Sequence, residues 1–335
     1  MQKLVLAGGV AILAVAGTIL FKSQTTNTNS QITNPEPQQT VNIPESTRVN
    51  QYSIQALRDR KYNGGEIEIV RKVRETGRFV SYEVTYDSDG LKQYALMNVP
   101  NGNKPATGWP VVIVNHGHID PDVYSTENSY INTSAYFANA GFLVVKPDYR
   151  GHDKSEGTAE GIRSRVSYAV DVLNLLASLG SIEGADTALV FMYGHSMGGD
   201  VTLRVTEVTD KVKAASLWAP AVTDWPEAVL YFTRRNRSER LPTLEAQLEE
   251  NFRREEYEAV SSFANTGLVK TPMNIQHSTT DESVPFSWGE KLRDKLLGNG
   301  VSVNYYAYPG DNHDIARNWA TALARDVEFF RKFSE

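Results

Sequence analysis

The chain has no cysteine, which excludes disulfides, thiol catalysis, thiolate metal sites and lipid attachment through an N-terminal cysteine. It also lacks a large excess of either charge: a formal net charge of −6 over 335 residues points to neither a nucleic-acid nor an acidic-polymer partner. Histidine is scarce, with 6 in the chain, so candidates for a titrating base are few: His116, His118, His152, His195, His277 and His313. Apolar residues are not scarce, and at 41% they suffice for a sizeable core.

At the amino end, Leu4 to Phe21 is apolar or small and carries no charge, with Lys3 before it and Lys22 after it. As a helix this run is just long enough to span a bilayer. Ala14-Val15-Ala16 offers the small-residue cleavage pattern of a signal peptide, but Thr18-Ile19-Leu20-Phe21 prolongs the run past that site. Residues 1–22 therefore read as a signal anchor, with a cleaved signal peptide as the alternative. In either case Lys3 is expected to stay inside, and the rest of the chain to be extracytoplasmic, membrane-anchored or secreted. Residues 23–50, rich in Thr, Asn, Gln and Pro, read as a disordered linker, and 51–335 as the folded body.

Within that body a short helix is expected around Ile54 to Arg60. Alternating segments follow at Glu66–Val70, Phe79–Tyr86 and Gln93–Val99, with a turn at Ser88-Asp89-Gly90, and they suggest antiparallel strands at a sheet edge. After Pro110 the strands become continuous apolar runs, such as Val111–Val114 and Gly141–Val145, alternating with helical stretches such as Val166–Leu179. Strands buried on both faces indicate an α/β fold with a mostly parallel central sheet and helices on both sides.

The densest chemistry lies at Gly194-His195-Ser196-Met197-Gly198, after the apolar run Ala188–Tyr193 and before a helical segment. A G-x-S-x-G pentapeptide between strand and helix is a nucleophile elbow, a tight turn that presents the serine on a strained backbone. Ser196 is the predicted nucleophile. A serine hydroxyl needs a base, and the base needs an acid to fix its tautomer. Downstream, Pro272–His277 reads as a strand leading to Asp281, and Val301–Tyr308 as a strand leading to His313. Asp281 is the expected acid, with neighbouring Glu282 as the alternative, and His313 the expected base. His195 is expected to point away from Ser196, and His277 lies within a strand, ahead of the loop.

An oxyanion would need two amide donors. One is expected from Met197, after the nucleophile, and the other from His118 in the loop His116-Gly117-His118 that follows Val111–Asn115. The same H-x-H, with Asp120 and Asp122, also has the look of a partial metal site, but no third partner completes it, and neither metal nor cofactor is expected.

Together N-H-G-H at Asn115–His118, K-P-D-Y-R-G-H-D-K-S-E-G at Lys146–Gly157, G-H-S-M-G, D-E-S-V-P from Asp281 and D-N-H ending at His313 resemble an α/β-hydrolase. Within that fold the chain, from about Tyr82 onward, is similar to the catalytic domain of the prolyl oligopeptidase family and to the related dienelactone hydrolase and acyl-esterase branches. The resemblance implies a serine hydrolase acting through an acyl-enzyme on a small peptide or ester substrate, with a peptidase preferred and a carboxylesterase as the alternative. A hydrolase-fold binding module is the remote third reading. Two departures stand out: His118 occupies the second glycine of the H-G-G loop seen in many relatives, and this sequence contains no β-propeller. Relatives place a lid where this chain has its insertion at about 223–270. There Leu244–Tyr257 reads as one amphipathic helix, and Arg234–Arg240 as basic side chains solvated or paired to the glutamates that follow. Trp225 and Tyr231, with Leu230 and Phe232, are expected to line an acyl or side-chain pocket, while Arg150 and Ser155 are expected to brace their own loop.

Overall fold

The structure is a computed structural model that describes residues 50–159 and 161–334. The segment 1–22 and, Asn50 excepted, the linker 23–50 lie outside the described residues. Among the described residues no helix is long and apolar enough to cross a membrane.

Strands β1 (Glu68–Glu75), β2 (Phe79–Ser88), β3 (Leu91–Pro100), β4 (Trp109–Asn115), β5 (Leu143–Pro147), β6 (Ala185–His195), β7 (Val212–Trp218), β8 (Met273–Ser278) and β9 (Val303–Tyr308) belong to one sheet. Its order is β1-β2-β3-β5-β4-β6-β7-β8-β9. The first three strands are antiparallel and join the rest through an antiparallel β3–β5 pair, and every later pairing is parallel. β1 starts at Glu68 and runs past Val70, the expected end, to Glu75. Pairing with β2, from Glu68 opposite Thr85 to Glu75 opposite Val80, carries it there although its own residues are mostly exposed.

The helices are α1 (Ile54–Asp59), α2 (Ile131–Asn139), α3 (Ser164–Ser178), α4 (Met197–Val208), α5 (Glu227–Asn236), α6 (Leu241–Asn251), α7 (Tyr257–Val260), α8 (Phe286–Gly298) and α9 (Trp319–Lys332). The continuous apolar strands are explained by burial on both faces. Val111 and Ile113 of β4 and Met192 of β6 pack under α3, α4 and α8, whereas Val112, Val114, Phe191 and Tyr193 pack under α2 and α9. Strand side chains alternate between faces, so covering both faces requires apolar residues at every position. On the α9 side, buried Asp326 accepts from Ser216 Oγ at 2.6 Å, Trp218 Nε1 at 2.7 Å, Asn274 Nδ2 at 3.2 Å and Gln276 Nε2 at 2.7 Å. Burial nevertheless dominates and raises its carboxyl to about 6. This cluster ties α9 to the carboxyl ends of β7 and β8.

The insertion after β7 differs from expectation in two respects. The single amphipathic helix foreseen over Leu244–Tyr257 stops at Asn251, with Phe252 extended at φ −141°, before α7 begins. The turn lets the Phe252 ring meet Trp225, with centroids 5.3 Å apart, in a small core shared with Leu248, Leu230 and Val260. Trp225 is thus a core residue of the insertion, 7% exposed, and not the lining of an open pocket. The arginines are exposed, as one of the two alternatives had it, and those that pair do so with groups other than the glutamates of α6. Arg234 reaches back to Glu227 at 3.0 Å, Arg235 donates to the Glu282 carbonyl at 2.6 Å, and Arg237 lies 3.6 Å from Asp120.

Candidate active site

β6 ends at His195, and the chain reverses through Ser196 at φ 55° and ψ −117° before α4 starts at Met197. Positive φ is costly for a residue with a side chain, and the surroundings hold it there: the Ser196 amide donates to Trp218 O at 2.8 Å, and its carbonyl accepts from Gly199 and Ala221 at 2.9 and 3.0 Å. The two elbow glycines are required by contact. A Cβ on Gly194 would lie 2.3 Å from Gly198 O, and one on Gly198 would lie 2.1 Å from Asn115 O. The loop after β4 is also near, since a Cβ on Gly117 would come within 3.2 Å of Ser196 Cβ.

Asp281, buried in the loop after β8, is saturated as an acceptor. Oδ1 takes the amides of Ser283 at 2.7 Å and Val284 at 2.9 Å, and Oδ2 takes His313 Nδ1 at 2.8 Å and His277 Nε2 at 3.0 Å. Burial alone would raise its pKa, but the hydrogen bonds from His277 and His313 outweigh burial and hold the carboxyl well below the usual range. Glu282, the alternative acid, accepts the backbone N–H of His313 at 3.0 Å and does not touch the ring. Ser196 is half-buried, and its Oγ forms no hydrogen bond among the described residues, as is common at a catalytic serine without substrate.

Two histidines missed as participants sit against this array. His277 is the second donor on the Asp281 oxygen that His313 uses, and its Nε2–H also faces Val284 O at 3.3 Å. His195 lies against His313, with ring centroids 4.6 Å apart, and its Nε2 donates to the His313 carbonyl at 3.2 Å. Its Nδ1 accepts from the Tyr130 hydroxyl, which in turn accepts the Gly117 amide at 3.0 Å. Burial, aided by the charge of His313, lowers the His195 pKa to about 3, so the ring stays neutral and keeps one tautomer. A buried chain thereby links the loop after β4 to the residue carrying the expected base. The His277-x-x-x-Asp281 spacing was visible in the sequence, but spacing alone gives no direction for a side chain at a strand end.

Among the amides of the His116–His118 loop, that of Gly117 is occupied by Tyr130, while those of His118 and Met197 have no acceptor among the described residues. The Met197 amide is also an orphan donor at the first turn of α4. The His116 ring is stacked on Tyr149, with its two nitrogens 2.7 and 3.1 Å from the carbonyls of Gly117 and Asp148, to one of which the neutral ring donates; this packing keeps it from turning toward His118 as a ligand pair. Tyr231 and Phe232 pack on Trp288 beside Ala221 and Val284, in a cluster bordering the elbow and the acid loop. A separate groove of about 820 Å³ is lined by Tyr130, His195, Asp314 and Trp319 but not by Ser196, Trp225 or Tyr231. Arg150 and Ser155 brace their loop as expected, through Asp171 at 2.6 Å and the Tyr94 amide at 2.8 Å.

The family model described as the prolyl oligopeptidase family matches residues 128–335. The chain belongs to that family. Its carboxyl-terminal part carries the elbow, the acid loop and the histidine loop described above. The acylamino-acid-releasing enzyme of Arabidopsis thaliana is 28% identical over 221 residues, which are 62% of this chain but 28% of that enzyme. Among solved structures, an acetyl xylan esterase from Paenibacillus sp. R4 matches with a TM-score of 0.61 at 18% identity, over 82% of this chain and 91% of the esterase. Dipeptidyl peptidase 4 of Porphyromonas gingivalis matches with a TM-score of 0.59 at 19% identity, over 76% of this chain and 36% of the peptidase. This prolyl oligopeptidase family member therefore has the α/β-hydrolase fold, and it spans only part of the length of the curated relative and of the peptidase.

Proposed function

We propose that the chain is a serine hydrolase that cleaves an amide or ester through an acyl-enzyme, with peptides as its preferred substrate class. The observation that carries this reading is the bond from His313 Nδ1 to the buried Asp281 carboxylate at 2.8 Å, on loops that converge with the strained Ser196 turn. Held in that tautomer, His313 Nε2 takes the proton from Ser196 Oγ as the oxygen attacks the carbonyl. The amides of Met197 and His118 receive the developing oxyanion. His313 then returns the proton to the leaving group, and water attacks the acyl-enzyme with the same base.

Family membership and the relative named for releasing acylamino acids support the peptidase reading. The esterase reading has its own support, because the fold match covers 91% of a single acetyl xylan esterase chain and only 36% of a dipeptidyl peptidase. The deciding experiment measures hydrolysis by the full chain on p-nitrophenyl acyl esters and peptide anilides, prolyl ones included, with Ser196→Ala as the blank. Serine-dependent cleavage of anilides is expected; turnover of esters alone would replace the peptidase by a carboxylesterase, and an inert Ser196 toward a fluorophosphonate probe in folded protein would favour a binding module. We further read residues 1–22 as the segment that anchors an extracytoplasmic enzyme, on the strength of the uncharged Leu4–Phe21 run. Release of the protein from membranes by salt alone would sink that reading.

A further inference from the structure

We infer that the guanidinium of Arg165 is a binding subsite for a carboxylate carried by the substrate, an inference that rests on the hydrolase reading above. Arg165 is in the first turn of α3, where no acidic residue accompanies it and where the helix dipole disfavours a cation. Its Nη1 makes one long bond, 3.4 Å, to the carbonyl of Ala221, whose amide in turn donates to the Ser196 carbonyl at 3.0 Å. The guanidinium stands over the Phe232 ring, 5.5 Å from its centroid, in the cluster that borders the elbow. Among the described residues no carboxylate lies within 4.0 Å of it. Asp200, whose charge it feels, is engaged by Ser262 and by Arg204.

A guanidinium carries five N–H donors in a planar fork matched to a carboxylate. Here most of that fork is unused, one residue contact away from the proposed nucleophile, in a half-buried position where a full charge is poorly solvated. A neutral carbonyl would leave the charge uncompensated, whereas a carboxylate both satisfies the fork and neutralises the cation. The charge of Arg165 also reaches the imidazole of His118, the residue whose amide is proposed to hold the oxyanion, whereas Arg237, the other cation acting there, lies 3.6 Å from Asp120.

The carboxylate can belong to the acyl part of the substrate or to its leaving group, and two substrate pairs separate these sources. Acetyl-glutamate α-(4-nitrophenyl) ester is compared with the acetyl-glutamine ester for the acyl side, and 3-acetoxybenzoate with 3-acetoxybenzamide for the leaving-group side. In the full chain kcat/KM is expected to favour the acidic member of one pair by roughly 10- to 100-fold, the range of a charged hydrogen-bonded pair. In Arg165→Gln that ratio is expected to fall to about one, and in Arg165→Lys to be partly kept. Indifference of the wild type to the carboxylate in both pairs overturns the inference, as does an equal loss on acidic and neutral members in Arg165→Gln. Fluorophosphonate labelling of Ser196 in the same preparation keeps the two levels apart: labelled protein indifferent to carboxylates refutes the subsite alone, and unlabelled folded protein refutes the hydrolase reading.

Discussion

Replacing His277 tests how Asp281 is held. His277→Leu removes the N–H donor at nearly constant volume, and His277→Gln keeps a donor in about the same place. The lost bond is to a buried, charged acceptor at 3.0 Å, so the Leu variant is expected to lose about 1.5–3 kcal/mol of stability, and the Gln variant clearly less. For a body of this size that is a fall in Tm of roughly 3–12 °C. The loss is pH-dependent with a definite sign. The Asp281 carboxyl is depressed below its unfolded value of about 3.9, so its contribution is present above that pH and disappears as the pH falls through the folded value. The gap between wild type and His277→Leu is therefore full at pH 7 and, because the unfolded value is common to both proteins, closes only as the pH falls through the depressed folded values. Activity responds less, because Oδ1 remains clamped by the Ser283 and Val284 amides, whereas Asp281→Asn, which hands His313 the wrong tautomer, is expected to lower kcat by about 10⁴. Urea unfolding of the three proteins from pH 3 to pH 7, with kcat measured in parallel, is the assay. A Leu variant as stable as wild type at pH 7, or a gap that widens as the pH falls to 3, would refute the reasoning.

Three further outcomes follow from contacts at the site. Gly117→Ala puts a Cβ 2.8 Å from the Tyr130 hydroxyl and 3.2 Å from Ser196 Cβ, so a drop in kcat of about 10²-fold is expected, with stability lowered by about 1–3 kcal/mol; wild-type kinetics would show that the loop has room to yield. Tyr130→Phe deletes the hydroxyl between the Gly117 amide and His195 Nδ1, leaving a buried donor and a buried acceptor unpaired, and thermal melting should register about 1–3 kcal/mol. Trp225→Ala empties the small core of the insertion and should destabilise by about 3–5 kcal/mol while leaving the preference among acyl-chain lengths unaltered; a changed chain-length profile would return Trp225 to the substrate pocket.

The features readable in the sequence were those enforced by the backbone over a few residues. Gly194 and Gly198 had to be glycines because a strand and a helix meet at Ser196 with no space for a Cβ, and that demand is written into five consecutive residues. Continuous apolar runs in β4 and β6 announced strands buried on both faces, and the chain order of Ser196, Asp281 and His313 matched the order of the strand ends. Tertiary structure decided which side chains meet across long separations. It brought His277 and His313 to one carboxylate oxygen, laid His195 directly on His313 with Tyr130 on its other ring nitrogen, turned the chain at Phe252 so that Trp225 is buried, and left Arg165 beside the elbow without a carboxylate. Local pattern sets the direction of a strand or the need for a glycine, but a side chain's partner depends on the paths of several loops at once, and no short stretch of sequence encodes those together.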